Sequence, residues 1–301
     1  MYFLDEIERK RLVRDLLPLA RKTGISEELR GWNWHEAPMK PYYKGEKIPM
    51  YLVCSRYCPS NRDVFLNKVE DVQPTINFKV SQGITIHETV SQLLTMFIKE
   101  DLVDFKDWWL ENKGNINYSG KDEDGVKKLH QRAKQVWSHT IYNCNAQYSN
   151  TCSKQPYACD RDVMSTSVPF LVEHKIDGSL LGLSGLLGID CYDYLRSIVF
   201  DLKTISAFDD REKWHRLYPT GYALVLESVY EVPVEVGCIV WTSFKDDRLV
   251  VEKELFFIND DLRSWWLEER DKKLDIIAQK KDPGMPNECP EDCIYREECD
   301  R

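Results

Sequence analysis

The order of apolar patterns along the chain predicts an α/β domain whose central mixed β-sheet is flanked by helices. Two observations carry that expectation. Helix-period segments occupy the first half, and strand-like runs at 170–176, 183–192 and 196–204 follow, separated by Gly or polar turns as in a meander. A helix over about 211–230 then precedes two more strand-like runs, 237–244 and 249–257, which read as a hairpin around Lys245-Asp246-Asp247.

The remaining elements follow in order. Residues 3–22 read as an amphipathic helix with Ile7, Leu12, Leu16 and Leu19 among charged neighbours. The Trp-, Pro- and Tyr-rich stretch 31–49 reads as irregular, and 75–80 as a short strand. A helix is predicted from Ile84 to about Val103, with His87, Val90, Leu94 and Ile98 on one face. A polar break, 112–125, leads to a helix through Trp137, and 143–160 reads as a loop bearing Cys144, Cys152 and Cys159. A last helix over about 260–280 is stopped by Pro283-Gly284 and Pro286. No internal repeat is visible.

With 301 residues, 43% of them hydrophobic, the chain has material for a sizeable core. Charged residues make up 30% and mean hydropathy is -0.48, values of a soluble protein. No apolar run approaches the roughly 18 residues of a membrane span. The N-terminus lacks a basic-then-apolar export pattern, so a cytoplasmic location is expected. The net charge of -9 excludes a uniformly basic surface but leaves room for one locally positive cleft. Ten cysteines are many for a reducing compartment, which turns attention to metal ligation.

The chemistry centres on Ser197-Ile-Val-Phe-Asp201-Leu-Lys203-Thr204. In a strand, Ile198, Phe200 and Leu202 point to one face, and Asp201 and Lys203 to the other with Val199. A carboxylate and an ammonium on one face suit phosphodiester hydrolysis: the first holds Mg²⁺ or Mn²⁺, the second orients water and offsets developing charge. Alone, Asp-x-Lys is a common pattern whose ordinary meaning is a solvated strand face. It gains weight from Asp190, which converges on the same ion if the two strands are neighbours, and from His87, turned inward by its apolar stripe. A lone inward histidine is ordinarily a hydrogen-bonded core residue.

The tail carries Cys289, Cys293 and Cys299 within eleven residues of polar sequence, unlike packing cysteines. A four-thiolate site must borrow one more, and Cys54 and Cys58 are the N-terminal candidates. Such a site is an iron–sulfur cluster or a structural Zn²⁺. Cys144, Cys152 and Cys159 read as free thiols, with a second metal or a disulfide as alternatives; Cys191 and Cys238 read as core.

Taken in order, Gln82-Gly83-Ile84-Thr85-Ile86-His87-Glu88, Gly188-Ile-Asp190 and Asp201-Leu-Lys203-Thr204 resemble the motifs of RecB-like nucleases of the PD-(D/E)xK class. Tyr222 resembles the tyrosine of that class's Gln-x-x-x-Tyr motif, although Tyr218 stands at the glutamine position. The resemblance implies a metal shell of His87, Asp190, Asp201 and the backbone carbonyl of Leu202. Lys203 would assist the water and Tyr222 would lie near DNA. One distant cysteine before a proline plus three at the C-terminus resembles the iron–sulfur subgroup. That favours Cys58, with Cys289, Cys293 and Cys299, as ligands of a [4Fe–4S] cluster, [2Fe–2S] or Zn²⁺ being the alternatives.

Stand-alone length and the segment 169–187 are most similar to the archaeal Apern (I-A) variant of the CRISPR-associated nuclease family that serves spacer acquisition. It implies a RecB-like nuclease core over 71–282 with a helical insertion around 105–165. An N-terminal segment, 1–70, supplies one cluster cysteine, and a cysteine tail, 283–301, supplies three. The implied activity is a Mn²⁺- or Mg²⁺-dependent exonuclease on single-stranded DNA ends, partnered by CRISPR integrase subunits, with a homo-oligomer as an open option and no membrane role. The rivals are a non-catalytic scaffold of the integration complex and a zinc-stabilised nucleic-acid module. Among the aromatic residues, Trp32 and Trp34, near Lys40 and Lys44, are the candidates for stacking on unpaired bases. The basic group Lys127, Lys128, Arg132 and Lys134 is either a phosphate-contacting or a solvated helix face.

Overall fold

A computed structural model describes residues 1–115, 123–206, 211–289 and 293–299. The polar break expected at 112–125 and the cysteine tail therefore lie partly outside the described residues. The chain begins with an extended, buried Met1–Leu4 segment, and Asp5 opens α1 (Glu6–Arg11) through a reciprocal capping box with Glu8. A π-helical turn, Leu12–Leu16, joins α1 to α2 (Leu17–Thr23). Short helices α3 (Met50–Cys54) and α4 (Arg62–Lys68) precede α5 (Phe78–Ile98), α6 (Phe105–Asn112), α7 (Glu123–Lys154) and α8 (Asp160–Ser167). The sheet strands are β1 (Phe170–Asp177), β2 (Leu186–Asp193), β3 (Ile198–Thr204), β4 (Val236–Lys245) and β5 (Arg248–Phe257). Helix α9 (Leu217–Tyr230) connects β3 to β4, while α10 (Asp260–Gln279) and α11 (Arg296–Cys299) follow the sheet.

The five strands lie in the order β1-β2-β3-β4-β5, antiparallel except for the parallel β3–β4 pair that the α9 crossover requires. This is the expected mixed sheet, and its helices cover both faces. On one face Ile198, Phe200 and Leu202 join Val90 and Leu94 of α5 and Val136 and Trp137 of α7. On the other, Val199 joins Leu224 of α9 and Trp266 of α10. The alternation expected for β3 is therefore realised, and it turns Asp201 and Lys203 toward the α9 side.

Four local expectations are corrected. Residues 75–80 are not a strand: the Asn77 side chain accepts from the Val80 amide at 3.0 Å and starts α5 at Phe78. That helix ends at Ile98, short of Val103, and Glu100 then takes a left-handed φ of 59°. Residues 143–154 are not a loop but the last turns of α7. Their polar side chains satisfy backbone carbonyls one turn back, Asn143 Nδ2 donating to His139 at 2.7 Å and Thr151 Oγ1 to Gln147 at 3.0 Å. At the N-terminus, Leu12, Leu16 and Ala20 face inward while Ile7 and Leu19 are exposed, because the π-helical turn shifts the inward stripe. Among the described residues, no helix is long and apolar enough to cross a membrane.

Buried cations tie the N-terminal segment to the helical layer. Arg263 donates to both oxygens of Glu227, at 2.7 and 2.9 Å, and to the carbonyl of Leu29 at 3.0 Å. Arg270 reaches the Met39 carbonyl at 2.6 Å, and Lys273 the Val53 carbonyl at 2.9 Å. Gly31 has no alternative, since a Cβ there would sit 2.1 Å from the Leu224 carbonyl oxygen of α9.

Candidate functional site

The site forms where β2 parts from β3 and where its pairing with β1 skips one position. The β2–β3 pairs run from Asp193↔Ile198 to Cys191↔Phe200 and stop, so Asp190 and Asp201 fall opposite one another at the point where the strands part. On the other edge, Val172↔Cys191 and His174↔Ile189 are paired, and the same register sets Glu173 opposite Asp190. Glu173 takes a left-handed φ of 48°, rare for a residue with a side chain. Opening the ladder frees the backbone of Leu202: its amide donates to Asp190 Oδ2 at 2.8 Å, and its carbonyl oxygen lies 2.7 Å from His87 Nε2. His87 arrives from α5, whose Val90 and Leu94 stripe anchors it against the sheet. Its Nδ1 is 3.4 Å from Asp190 Oδ2.

His87, Glu173 and Asp190 each present a ligand atom within 4.8 Å of the others. Asp201, 2% exposed and outside that group of three, brings its Oδ2 from β3, opposite Asp190. The Lys203 ammonium lies 3.1 Å from that oxygen. Burial, joined by the charge of Asp190, pushes the Asp201 carboxyl up to about 6 against the pull of Lys203. Burial and Asp190 likewise raise Glu173. Burial works against the charged forms of His87 and Asp190, but their mutual attraction outweighs it, raising the imidazole and lowering the carboxyl. The donor set therefore fits a hard divalent cation: imidazole, carboxylates and a peptide carbonyl, with a net excess of negative charge.

Helix α9 closes the site. Gly221 lets it approach its neighbours, since a Cβ there would sit 2.3 Å from Trp266 Nε1 and 2.6 Å from Met50 Sδ. Tyr218 and Tyr222, one turn apart, face the carboxylates, and burial with the Asp190 and Asp201 charges raises the Tyr222 phenol far above its ordinary range. The Lys203 ammonium stands 3.5 Å over the Tyr218 ring. Sequence reasoning missed two groups. Glu173 carried no motif, and only knowledge of the β1–β2 register would have revealed it. His215 stacks on Trp214 at 3.7 Å with a buried, unpartnered Nδ1.

At the far end of the chain, the tail docks on α4. The Thr75 amide donates to the Ile294 carbonyl at 3.0 Å, Asn67 Nδ2 to Tyr295 Oη at 3.2 Å, and Arg62 pairs with Asp282 at 3.1 Å. Leu66, Tyr295 and Cys299 form a small apolar cluster there. Burial pushes the Cys293 thiol up to about 11, helped by Cys289 and Cys299, and the nearby sulfurs of Cys58 and Cys289 help burial raise Cys299. Cys58 and Cys289 thus lie near Cys299, and Cys289 and Cys299 near Cys293, soft donors of the kind an iron–sulfur cluster or Zn²⁺ takes. Cys54 is elsewhere, fully buried with its sulfur 3.7 Å from Met50 Sδ. Cys144 is buried on the inner face of α7, Cys159 is exposed, and Cys191 and Cys238 lie in the core.

A model of the CRISPR-associated exonuclease Csa1 family matches residues 1–301. The chain belongs to this family. Among curated relatives, the CRISPR-associated exonuclease Csa1 of Saccharolobus solfataricus is 29% identical over 95% of this chain and 97% of its own. The protein of the same name from Thermoproteus tenax is 24% identical over 98% and 99%. Family membership and these names support a nuclease role in CRISPR. A crystal structure of SSO0001 covers 79% of this chain and 94% of its own at 12% identity, with a TM-score of 0.29, too low to carry a structural argument.

Proposed function

We propose that this protein is a divalent-metal-dependent exodeoxyribonuclease that trims single-stranded DNA ends during CRISPR adaptation, alongside the integrase subunits. The observation that supports this most directly is the gathering of His87, Glu173 and Asp190 within 4.8 Å of one another beside the Leu202 carbonyl, with Asp201 opposite Asp190 on β3 and Lys203 paired to it. Mn²⁺ or Mg²⁺ held there supplies Lewis-acid charge for phosphodiester hydrolysis. The remaining roles belong to the chain. Lys203 orients the attacking water and offsets charge on the phosphate oxygens, Asp201 fixes the Lys203 ammonium, and Tyr222 lines the approach of the strand. The four tail-site cysteines hold a [4Fe–4S] cluster that clasps the N-terminal segment to the C-terminus.

An end-labelled single strand incubated with Mn²⁺ tests the catalytic reading. Degradation by the wild type and its loss in Asp201→Ala are expected; equal degradation by both sinks it. Tyr218 at the motif's glutamine position favours a second reading, a scaffold that binds DNA without cutting. Binding by a wild type that leaves the strand intact in Mn²⁺ selects the scaffold. Iron content and absorbance near 400 nm after anaerobic purification test the cluster, and a colourless zinc protein overturns it.

A further inference from the structure

Beyond the carboxylate centre, a cavity of about 330 Å³ opens between the 34–47 segment and the β1–β2 turn. Lys40, Lys44 and Lys47 line it together with Trp34, Tyr43 and Ser179, against a single lining carboxylate, Glu46. On a chain of net charge -9, three lysines around one cavity are a local reversal of sign. The wall is fixed in place. Ile48 forms a parallel bridge to Leu183, its amide donating to the Gly182 carbonyl at 3.1 Å, and the Ser184 amide returns to the Ile48 carbonyl at 2.9 Å. Lys47 Nζ is 3.0 Å from Ser179 Oγ, while the Tyr43 hydroxyl is engaged by Asp275. Trp34, 37% exposed, leaves part of its ring open to a ligand.

One strand spans the distance from the cavity to the site. Strand β1 runs from Glu173 to Asp177, about 13 Å at the usual 3.3 Å per residue, and then enters the turn that lines the cavity. Lys175 stands on that path, its Nζ 3.6 Å from Glu173 and more than half exposed. A half-open indole, ammonium groups at the rim and a volume at the small end of ligand pockets match one nucleotide of an unpaired strand: a base to stack and phosphates to neutralise. A duplex does not fit such a volume. We propose that this cavity is a subsite that grips the single strand several nucleotides away from the scissile phosphate, with the base on Trp34 and the backbone on Lys44 and Lys47. The assignment rests on the nuclease reading for its substrate class.

Binding of fluorescein-labelled oligothymidylate to the full chain, measured by anisotropy in EDTA so that nothing is cut, tests it. For a strand of about 12 nucleotides, Lys44→Glu/Lys47→Glu and Trp34→Ala are each expected to weaken binding about 10-fold. The lysine pair should also make the log–log salt slope shallower by about 1.4. For a strand of about 2 nucleotides, binding and Mn²⁺-supported cleavage should match the wild type. Unchanged affinity and slope for the long strand overturn the subsite, whether or not the protein cleaves. Competition by polyglutamate as effective as by oligothymidylate, with Trp34→Ala indifferent, also overturns it, in favour of a general anion patch. If the wild type never cleaves but these variants still lose long-strand binding, the subsite stands and the nuclease reading falls.

Discussion

Lys203 is held on two sides, by Asp201 Oδ2 at 3.1 Å and by the Tyr218 ring at 3.5 Å. An ammonium over a desolvated aromatic face gains about 2 kcal/mol, so the ring performs part of what a polar side chain at this position would do. Tyr218→Phe, which keeps the ring, should leave the cleavage rate within about threefold. Tyr218→Leu should lower kcat about 10-fold or more with little change in KM, and equal losses in both variants would move the role to the hydroxyl. Glu173 makes a separate claim at this scale. If it belongs to the ion's shell, Glu173→Gln weakens Mn²⁺ binding by at least about 10-fold in titration calorimetry, with no DNA present. Wild-type affinity would remove it from the shell.

At the scale of elements, the decisive feature is the parting of β2 from β3 beyond Cys191. A continuous ladder would occupy the Leu202 carbonyl in a strand-to-strand bond; the split hands it to the site, with the Asp190 carboxylate taking the Leu202 amide. Helix α9 must then stay in register against β3. Its anchor is Glu227, buried between Arg263 and Arg30, with Arg30 Nη1 at 3.1 Å. Glu227→Gln leaves two guanidinium groups in the interior short of their counter-charge. It should cost about 3–5 kcal/mol in urea unfolding, whereas a loss under about 1 kcal/mol would mean that the cations find other partners.

For the whole molecule, stability should depend on two histidines kept neutral inside it. Burial, with the nearby N-terminal amine and Lys253, lowers His139 to about 4, and burial with Lys203 lowers His215 to about 3. Unfolded, both regain an ordinary value near 6.5 and bind protons that the folded chain refuses. Their contribution is complete above about pH 6.5 and is lost as pH falls toward 4 and then 3. The thermal midpoint should therefore drop between pH 7 and pH 4, and His139→Gln should flatten part of that slope; a parallel slope would exclude His139 as a source. The same scale holds the clasp, in which Ser60, Asn67 and Thr75 meet Gly284, Tyr295 and Ile294. With a cluster in place, Cys58→Ser should release iron and speed proteolysis of the tail while sparing the five-stranded sheet and its helices.

Local periodicity in the sequence was enough for all five strands, the turned-in His87 on α5, and the common face of Asp201 and Lys203, because a side chain's direction follows from a repeat of two or 3.6 residues. The motif order likewise marked Asp190 and Tyr222 as partners for them. Register between strands has no such local signature. Glu173 meets Asp190 only because the β1–β2 pairing sets them opposite, across a turn whose length the sequence alone does not specify. The polar end of α7 reads as a loop from its low intrinsic propensity, which packing of α7 against α5 and α8 overrides. Distances across the fold, whether of Cys58 to the tail or of Lys203 to the Tyr218 ring, are set by long-range packing, which only the tertiary structure decides.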